Sequence, residues 1–378
     1  MKKVRMGMIG GAHDAFIGNV HRMAANLDGQ IELVCGSFSS SYEKTLETGA
    51  SLGIVKSRLY PTFQELLEQE SQLPVEERMQ FVSIVTPNFL HFEPAKLALE
   101  KGFHVFCEKP MTLNSTQAKE LEQLVKQKNL FFGLTHNYTG YPMVKEAKAM
   151  VKAGKLGQIR KVIAEYPQGW LAEKLEDSGQ KQADWRTDPK RAGISCCVGD
   201  IGSHAENLTE YITGLKITEV AADVSTFVEG RLLDDDSNIL VRFNNGAKGI
   251  IIASQIAVGE ENELKIRLYG EKGSLEWLQS DPNTLIFKSN GPKQIIKTGA
   301  GYSWLSEAAN THTRLPGGHP EGYVEGMANL YRNFAKAIRD GKTTDLYDFP
   351  TVSDGVRGMK FIEAVIESGH QNSKWITL

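Results

Sequence analysis

Apolar and polar positions follow two different rhythms along this chain. Through the first third, short apolar runs separate stretches with helical spacing. Residues 4–9 read as a strand, and a helical pattern follows through 20–27. Residues 31–35 form a second strand and 41–52 a helix. The run Phe-Val-Ser-Ile-Val-Thr at 81–86 has the apolar, β-branched character of a strand buried on both faces of a parallel sheet. It ends in Pro87, and 92–101 then takes helical spacing until Gly102 stops it. A strand at 104–107, a helix at 114–128 and a strand at 130–134 complete the alternation. This order predicts a doubly wound parallel sheet with right-handed crossovers.

After about His136 the rhythm changes. A helix at 142–153 leads into a strand at 159–166, then a polar, tryptophan-bearing loop and a helix from about Asp200 to Thr213. From Ile217 onward the pattern is one of alternating strands. Asn244-Asn245-Gly246 between runs at 239–243 and 249–256 is a hairpin signal. Strands at 264–269, 274–277, 284–288 and 294–297 continue it, and helices at 323–339 and 352–367 close the chain. The fold class is therefore α/β: an N-terminal Rossmann-type sheet followed by an α+β domain on a large, open, mostly antiparallel sheet. Residues 1–136 and 137–378 are the two domains, with the possibility that a terminal helix packs back on the first. One face of the open sheet needs a cover, and a second subunit is the expected one.

Composition narrows the class. The 378 residues, with 43 Lys+Arg against 46 Asp+Glu, carry a formal charge of −3 and are 41% hydrophobic. That balance removes the electrostatic basis for non-specific nucleic-acid binding. No apolar run approaches the roughly 18–20 residues of a membrane helix, and the N-terminal run is too short for a signal peptide. Cys35, Cys107, Cys196 and Cys197 include no C-x-x-C pair, and read as core thiols in a reducing cytoplasm.

Candidate chemistry collects at strand ends. Gly7-Met8-Ile9-Gly10-Gly11-Ala12-His13-Asp14-Ala15-Phe16-Ile17-Gly18 leaves the first strand for the first helix, where backbone N–H groups can approach a pyrophosphate. Gly10 stands as the first glycine of such a loop, Ala12 in place of the second, and Gly18 as the third after a three-residue insertion. The second strand ends Cys35-Gly36-Ser37-Phe38-Ser39-Ser40-Ser41, with no carboxylate for a ribose 2′-hydroxyl and no Arg for a 2′-phosphate, so NAD and NADP are not separated. Thr86, Asn88 and His91 follow the third strand; Asn88 and His91 either cap the next helix or meet a nicotinamide ribose. Glu108-Lys109-Pro110 places a cation at the fourth strand tip. Asp200 and His204, four apart, share a helix face, where a carboxylate and an imidazole can hold and deprotonate a hydroxyl or simply cap and fill a core. No third ligand stands at zinc spacing, and no metal site is expected. The acidic run Asp234-Asp235-Asp236 reads as a solvated loop.

Together these motifs, in order over nearly the whole chain, resemble the glucose–fructose oxidoreductase, inositol dehydrogenase and rhizopine-catabolism family. The resemblance implies a dinucleotide-binding domain, and a substrate domain whose sheet builds homodimers or homotetramers. It implies a cytoplasmic enzyme passing hydride from a secondary hydroxyl of a sugar, glycoside or cyclitol to NAD or NADP. Alternatives on the same fold are an NAD-dependent glycosidase using transient ring oxidation and a non-catalytic nucleotide-sensing regulator. On the family model Lys109 bonds the reacting hydroxyl, His204 is the general base and Asp200 fixes a neighbouring hydroxyl. Gly10, Ala12, Phe16, Ile17, Ser37, Thr86, Asn88, His91, Glu108 and Lys109 are the expected cofactor contacts. Tyr138, Trp185, Arg186 and His319 are the expected substrate contacts.

Overall fold

The computed structural model describes residues 2–13 and 15–378. The chain forms two compact units, Met1–Asn137 with Tyr323–Val356, and Tyr138–Gly322 with Arg357–Leu378.

The strands of the first unit are β1 (Val4–Gly10), β2 (Ile31–Ser37), β3 (Phe81–Val85), β4 (His104–Cys107) and β5 (Phe132–Leu134). They pair in the order β2-β1-β3-β4-β5, all parallel. All five residues of β3 are buried, as its continuous apolar pattern requires. Helices α1 (Phe16–Leu27), α2 (Tyr42–Ser51), α3 (Phe63–Gln72), α4 (Phe92–Glu100) and α5 (Ser115–Lys128) connect the strands. The periodicity reading did not include α3. Its signal was local: in the Thr-x-x-Glu spacing, Thr62 Oγ1 caps the helix by accepting the Glu65 N–H and donates to the Glu65 carboxylate, both at 3.1 Å.

The helix Tyr323–Asp340, distant in sequence, belongs to this first unit. It buries Met327, Leu330, Tyr331, Phe334 and Ala335 along one stripe. The Tyr331 ring lies 4.4 Å from that of Phe106, and the Phe334 ring 5.3 Å from Phe81 and 5.2 Å from Phe349. This aromatic layer roofs one side of the parallel sheet.

The second unit carries β6 (Ile159–Pro167), β7 (Ile217–Ser225), β8 (Asp236–Phe243), β9 (Lys248–Ser254), β10 (Lys265–Gly270), β11 (Ser274–Leu278), β12 (Thr284–Lys288), β13 (Gln294–Lys297) and β14 (Ile376–Thr377). Their order is β13-β12-β11-β10-β6-β9-β8-β7-β14, with β6–β9 the parallel pair and the other described pairs antiparallel. The Asn-Gly hairpin joins β8 to β9, with Gly246 at φ 88° and the Phe243 N–H on the Ala247 carbonyl. Two-residue β14 has no period to read. Alternation along β8 buries Ile239, Val241 and Phe243 and turns Leu240 outward, 49% exposed. Ile163, Ile250, Ile252 and Tyr269 are likewise left half-covered or exposed, interleaved with the ion pairs Glu165–Arg267 and Glu276–Lys288.

Candidate active site

The turn from β1 to α1 is built for close backbone approach. Gly10 and Gly11 hold φ of 82° and 76°, a region open to glycine. A Cβ on Gly18 would lie 2.4 Å from Gly11 Cα and 2.7 Å from its carbonyl oxygen, so loop and helix touch backbone to backbone. Ala12 is buried, its N–H on the Phe38 carbonyl at 3.2 Å. The α1 N-cap is Ala15, which offers no side-chain oxygen, and no acidic residue stands in the first turn. Among the described residues no side chain caps the first-turn N–H groups, the donor set that a pyrophosphate fits. Phe16 stands 73% exposed at this end and Ile17 packs against the sheet core. Asp14 of this loop lies outside the described residues.

At the β2 tip, Ser37 is buried in register with Ile9. The hydroxyls beyond it build the turn into α2: Ser39 Oγ accepts the Ser41 N–H, Thr45 Oγ1 the Ser39 N–H and Ser41 Oγ the Lys44 N–H. At the β3 tip, Thr86 lies against Gly10, where a Cβ would come within 2.8 Å of Thr86 Cγ2, and Asn88 is buried. His91, expected at a ribose, is fully buried with Nδ1 2.8 Å from the Pro110 carbonyl oxygen and Nε2 2.8 Å from that of Thr86. Both ring nitrogens are therefore taken by main chain, and the residue ties the β3 and β4 tips together. Burial pushes its pKa down against the pull of those carbonyls.

Glu108, also expected to touch the cofactor, is engaged by the protein itself. Its Oε1 lies 2.7 Å from His21 Nε2 and its Oε2 accepts the Lys109 N–H at 3.1 Å. Burial favours the neutral acid, but the His21 hydrogen bond and charge, with help from Lys109 and Thr135, outweigh it and hold the carboxyl down to about 2. Two residues to which the sequence gives no individual role follow β5. His136 is buried, and burial with the nearby Lys109 charge pushes it down to about 3, so its ring is neutral. Asn137 is buried and its amide Nδ2 has no partner, a donor that suits a ligand oxygen. Positive-φ glycines, an uncapped helix end and an orphaned amide at the strand ends together fit a bound dinucleotide.

In the second unit, Asp200 and His204 do share a surface, through less regular backbone than a single α-helix. Val198–Gly202 is a π turn that runs into the α-helix Ser203–Thr213. Asp200 Oδ2 accepts from Gln255 Nε2 at 3.0 Å and Arg186 Nε at 3.3 Å. Arg186, expected on substrate, thus has the carboxylate as a partner, and its guanidinium stacks over Trp185 at 4.2 Å. The His204 ring lies edge-on to Tyr138, 4.9 Å away, and 6.1 Å from Tyr166. Tyr138 is buried, its hydroxyl bonded to the Tyr166 hydroxyl and accepting from Asn262 Nδ2 at 3.2 Å. His319 sits in an exposed loop with Nδ1 3.2 Å from the Pro316 carbonyl.

The acidic run is not a solvated loop. Asp234 and Asp235 are buried, and Asp236 opens β8. Asp234 accepts the Cys196 N–H and the Val198 N–H, both at 2.8 Å, and the Ser195 hydroxyl at 3.0 Å. It therefore anchors the segment that enters the Asp200 turn. Asp235 takes the Phe227 and Val228 N–H groups and the buried Arg231 guanidinium. Charge patterning marked the run as surface because three carboxylates in a row satisfy one another badly; the compensating donors arrive from other segments. All four cysteines are buried, and burial raises each thiol. Among the described residues no group of three metal-ligating side chains converges.

Comparison with known proteins meets this geometry. Residues 4–136 match the family model for the oxidoreductase family with an NAD-binding Rossmann fold, and 144–276 match the GFO/IDH/MocA C-terminal domain. An uncharacterised oxidoreductase of Bacillus subtilis, YfiI, is 34% identical over 99% of this chain and 97% of its own. Levoglucosan dehydrogenase of Pseudarthrobacter phenanthrenivorans is 28% identical over 78% of this chain and 79% of its own. The solved structure of an inositol dehydrogenase homologue from Azotobacter vinelandii with NAD+ has a TM-score of 0.94 and 33% identity, covering 100% of this chain and 98% of that one. The same homologue with NADH and myo-inositol has a TM-score of 0.92 and 32% identity, with the same coverage. The first unit is an NAD-binding Rossmann domain of an oxidoreductase. The chain belongs to the GFO/IDH/MocA family.

Proposed function

We propose that this enzyme oxidises a secondary hydroxyl of a sugar, glycoside or cyclitol with NAD or NADP. In this reading residues 1–136 serve the dinucleotide, and 137–378 serve the substrate and self-association. An alcohol is a poor hydride donor until its proton is leaving. Lys109 donates a hydrogen bond to the reacting hydroxyl and stabilises the developing alkoxide. His204 accepts the hydroxyl proton, since an imidazole titrates near neutral pH. Asp200 accepts a hydrogen bond from a neighbouring hydroxyl, held in orientation by Gln255 and Arg186. When bound, NAD supplies the hydride acceptor. Tyr138, Trp185 and His319 offer the ring faces and hydrogen-bonding groups that a polyhydroxylated ring needs.

The observation that carries this reading is the held carboxylate one turn from an imidazole: Asp200 is oriented by two donors while His204 packs on Tyr138. A non-catalytic sensor has no use for that arrangement. The polyol class draws support from the levoglucosan and inositol relatives. The half-covered Leu240, Ile250 and Ile252 face of the large sheet supports a homo-oligomer. No helix among the described residues is long and apolar enough to cross a membrane.

The test is a panel of monosaccharides, glycosides and inositols with NAD and NADP, read at the reduced-nicotinamide absorbance. Lys109→Met is expected to leave NADH titration near normal while turnover drops by roughly three orders of magnitude. Glycoside cleavage without net cofactor reduction would select the glycosidase instead, and an active Lys109→Met enzyme would remove lysine from the chemistry.

A further inference from the structure

Three buried side chains and the part-buried Glu108, from four separate segments, form one continuous hydrogen-bonded file in the first unit. Ser83 Oγ and the Tyr331 hydroxyl are 2.7 Å apart, Tyr331 and His21 Nδ1 2.7 Å, and His21 Nε2 and Glu108 Oε1 2.7 Å. Ser83, His21 and Tyr331 are at most 1% exposed. The file ends where Glu108 Oε2 receives the main-chain N–H of Lys109.

Chemistry sets the direction at the carboxylate end. An ionised carboxylate only accepts, so His21 Nε2 carries the proton toward Glu108. The Nδ1–Tyr331 and Tyr331–Ser83 bonds close with either polarity, because each hydroxyl can both donate and accept. Every contact along the file is at hydrogen-bond distance, so no member is left without a partner. Each Glu108 oxygen thereby has a protein partner, which makes the carboxylate an internal anchor at the β4 tip.

We infer that Ser83, Tyr331, His21 and Glu108 are a positioning device that fixes the backbone of Lys109. The inference rests on the proposed role of Lys109 in oxidation. It assigns a functional duty to the helix Tyr323–Asp340: Tyr331 completes the anchor from the far end of the chain. The device acts through the neighbouring residue and touches no reacting atom, so its members are positioning residues, not catalytic ones.

The test uses full-length Tyr331→Phe, His21→Leu and His21→Gln. Two quantities are read: steady-state kinetics with the best polyol found, and the rate of Lys109 acetylation by acetic anhydride in cofactor-free protein, followed by mass spectrometry. Tyr331→Phe and His21→Leu are expected to lower kcat about tenfold or more with the NADH Kd held within about twofold. They are expected to change the Lys109 acetylation rate by about threefold or more, and His21→Gln, whose amide can still donate to Glu108, to recover part of both. Folded variants with unchanged kcat overturn the inference, as does a fall in kcat without a change in labelling. If no polyol is oxidised by the wild type, the function proposal fails while the labelling arm still decides this one. Should Tyr331→Phe not fold, Ser83→Ala, which removes only the terminal hydroxyl, is read by the same labelling rate.

Discussion

Gln255 Nε2 donates to Asp200 Oδ2 at 3.0 Å from a side chain that is itself fully buried. The amide cannot swing away, because Cys196 Sγ donates to its Oε1 at 3.3 Å. The carboxylate orientation is therefore set from beneath by the end of β9 as well as by its own helix. Gln255→Leu removes that donor and keeps comparable bulk. Its kcat/KM for the best polyol is expected to fall about tenfold to a hundredfold, with NADH affinity unchanged. Wild-type efficiency in this variant would show that Arg186 suffices to hold Asp200.

Asp234 anchors the same segment more deeply. Its two oxygens take the Cys196 N–H, the Val198 N–H and the Ser195 hydroxyl, and burial raises its pKa against those bonds. Asp234→Asn replaces one acceptor by a donor that faces N–H groups. The expected loss is about 2–4 kcal/mol in urea unfolding, because a buried polar cluster is left unsatisfied. A midpoint equal to wild type would mean the amide finds other partners.

Gly18→Ala tests the phosphate turn. Its Cβ meets Gly11 Cα at 2.4 Å and Gly11 O at 2.7 Å, both backbone atoms that no rotamer change can move aside. The loop must separate from α1, and the NADH Kd is expected to rise at least about tenfold in fluorescence titration. Unaltered binding would remove this turn from the cofactor site.

The pH dependence of stability carries a sign that His104 decides. His104 Nδ1 accepts the Phe131 N–H at 2.9 Å, a bond that protonation of that nitrogen breaks. Burial pushes the group down to about 4 in the folded protein. The unfolded chain takes up the proton near the ordinary value of about 6.5, so folded-state stability from this group is complete above that pH and is lost as pH falls toward 4. The full loss is on the order of 3 kcal/mol, and His136, also depressed, adds in the same direction. His104→Asn is expected to flatten the decline between pH 6.5 and 4.5 by roughly 2 kcal/mol in denaturant titrations. An unchanged slope would assign the acid loss elsewhere.

Legibility in the sequence tracked the range of the interactions involved. The strands at 104–107, 284–288 and 294–297 agree with β4, β12 and β13 at both ends, because short apolar runs bounded by Gly, Pro, Asn and Ser mark a strand locally. The Asn-Gly hairpin was equally local. The Thr-x-x-Glu spacing at 62 and 65 was present in the letters too, and α3 buries Leu66, Leu67 and Glu70. His91 and Glu108 stood at strand tips as read, but their partners, Pro110, Thr86 and His21, lie in other elements, and that turned presumed ligand groups into internal ties.

Sequence alone thus determined the α/β class, the glycine turn and the placing of Lys109, Asp200 and His204 at element ends, since each depends on neighbours within a few residues. Tertiary structure decided that Tyr331 reaches His21 across 310 positions, that Gln255 holds Asp200 across 55, and that Asp234 and Asp235 are buried. A hydrogen bond between distant segments leaves no period in the chain. It exists because the fold has already closed the loop between its partners and excluded the water that would otherwise satisfy them.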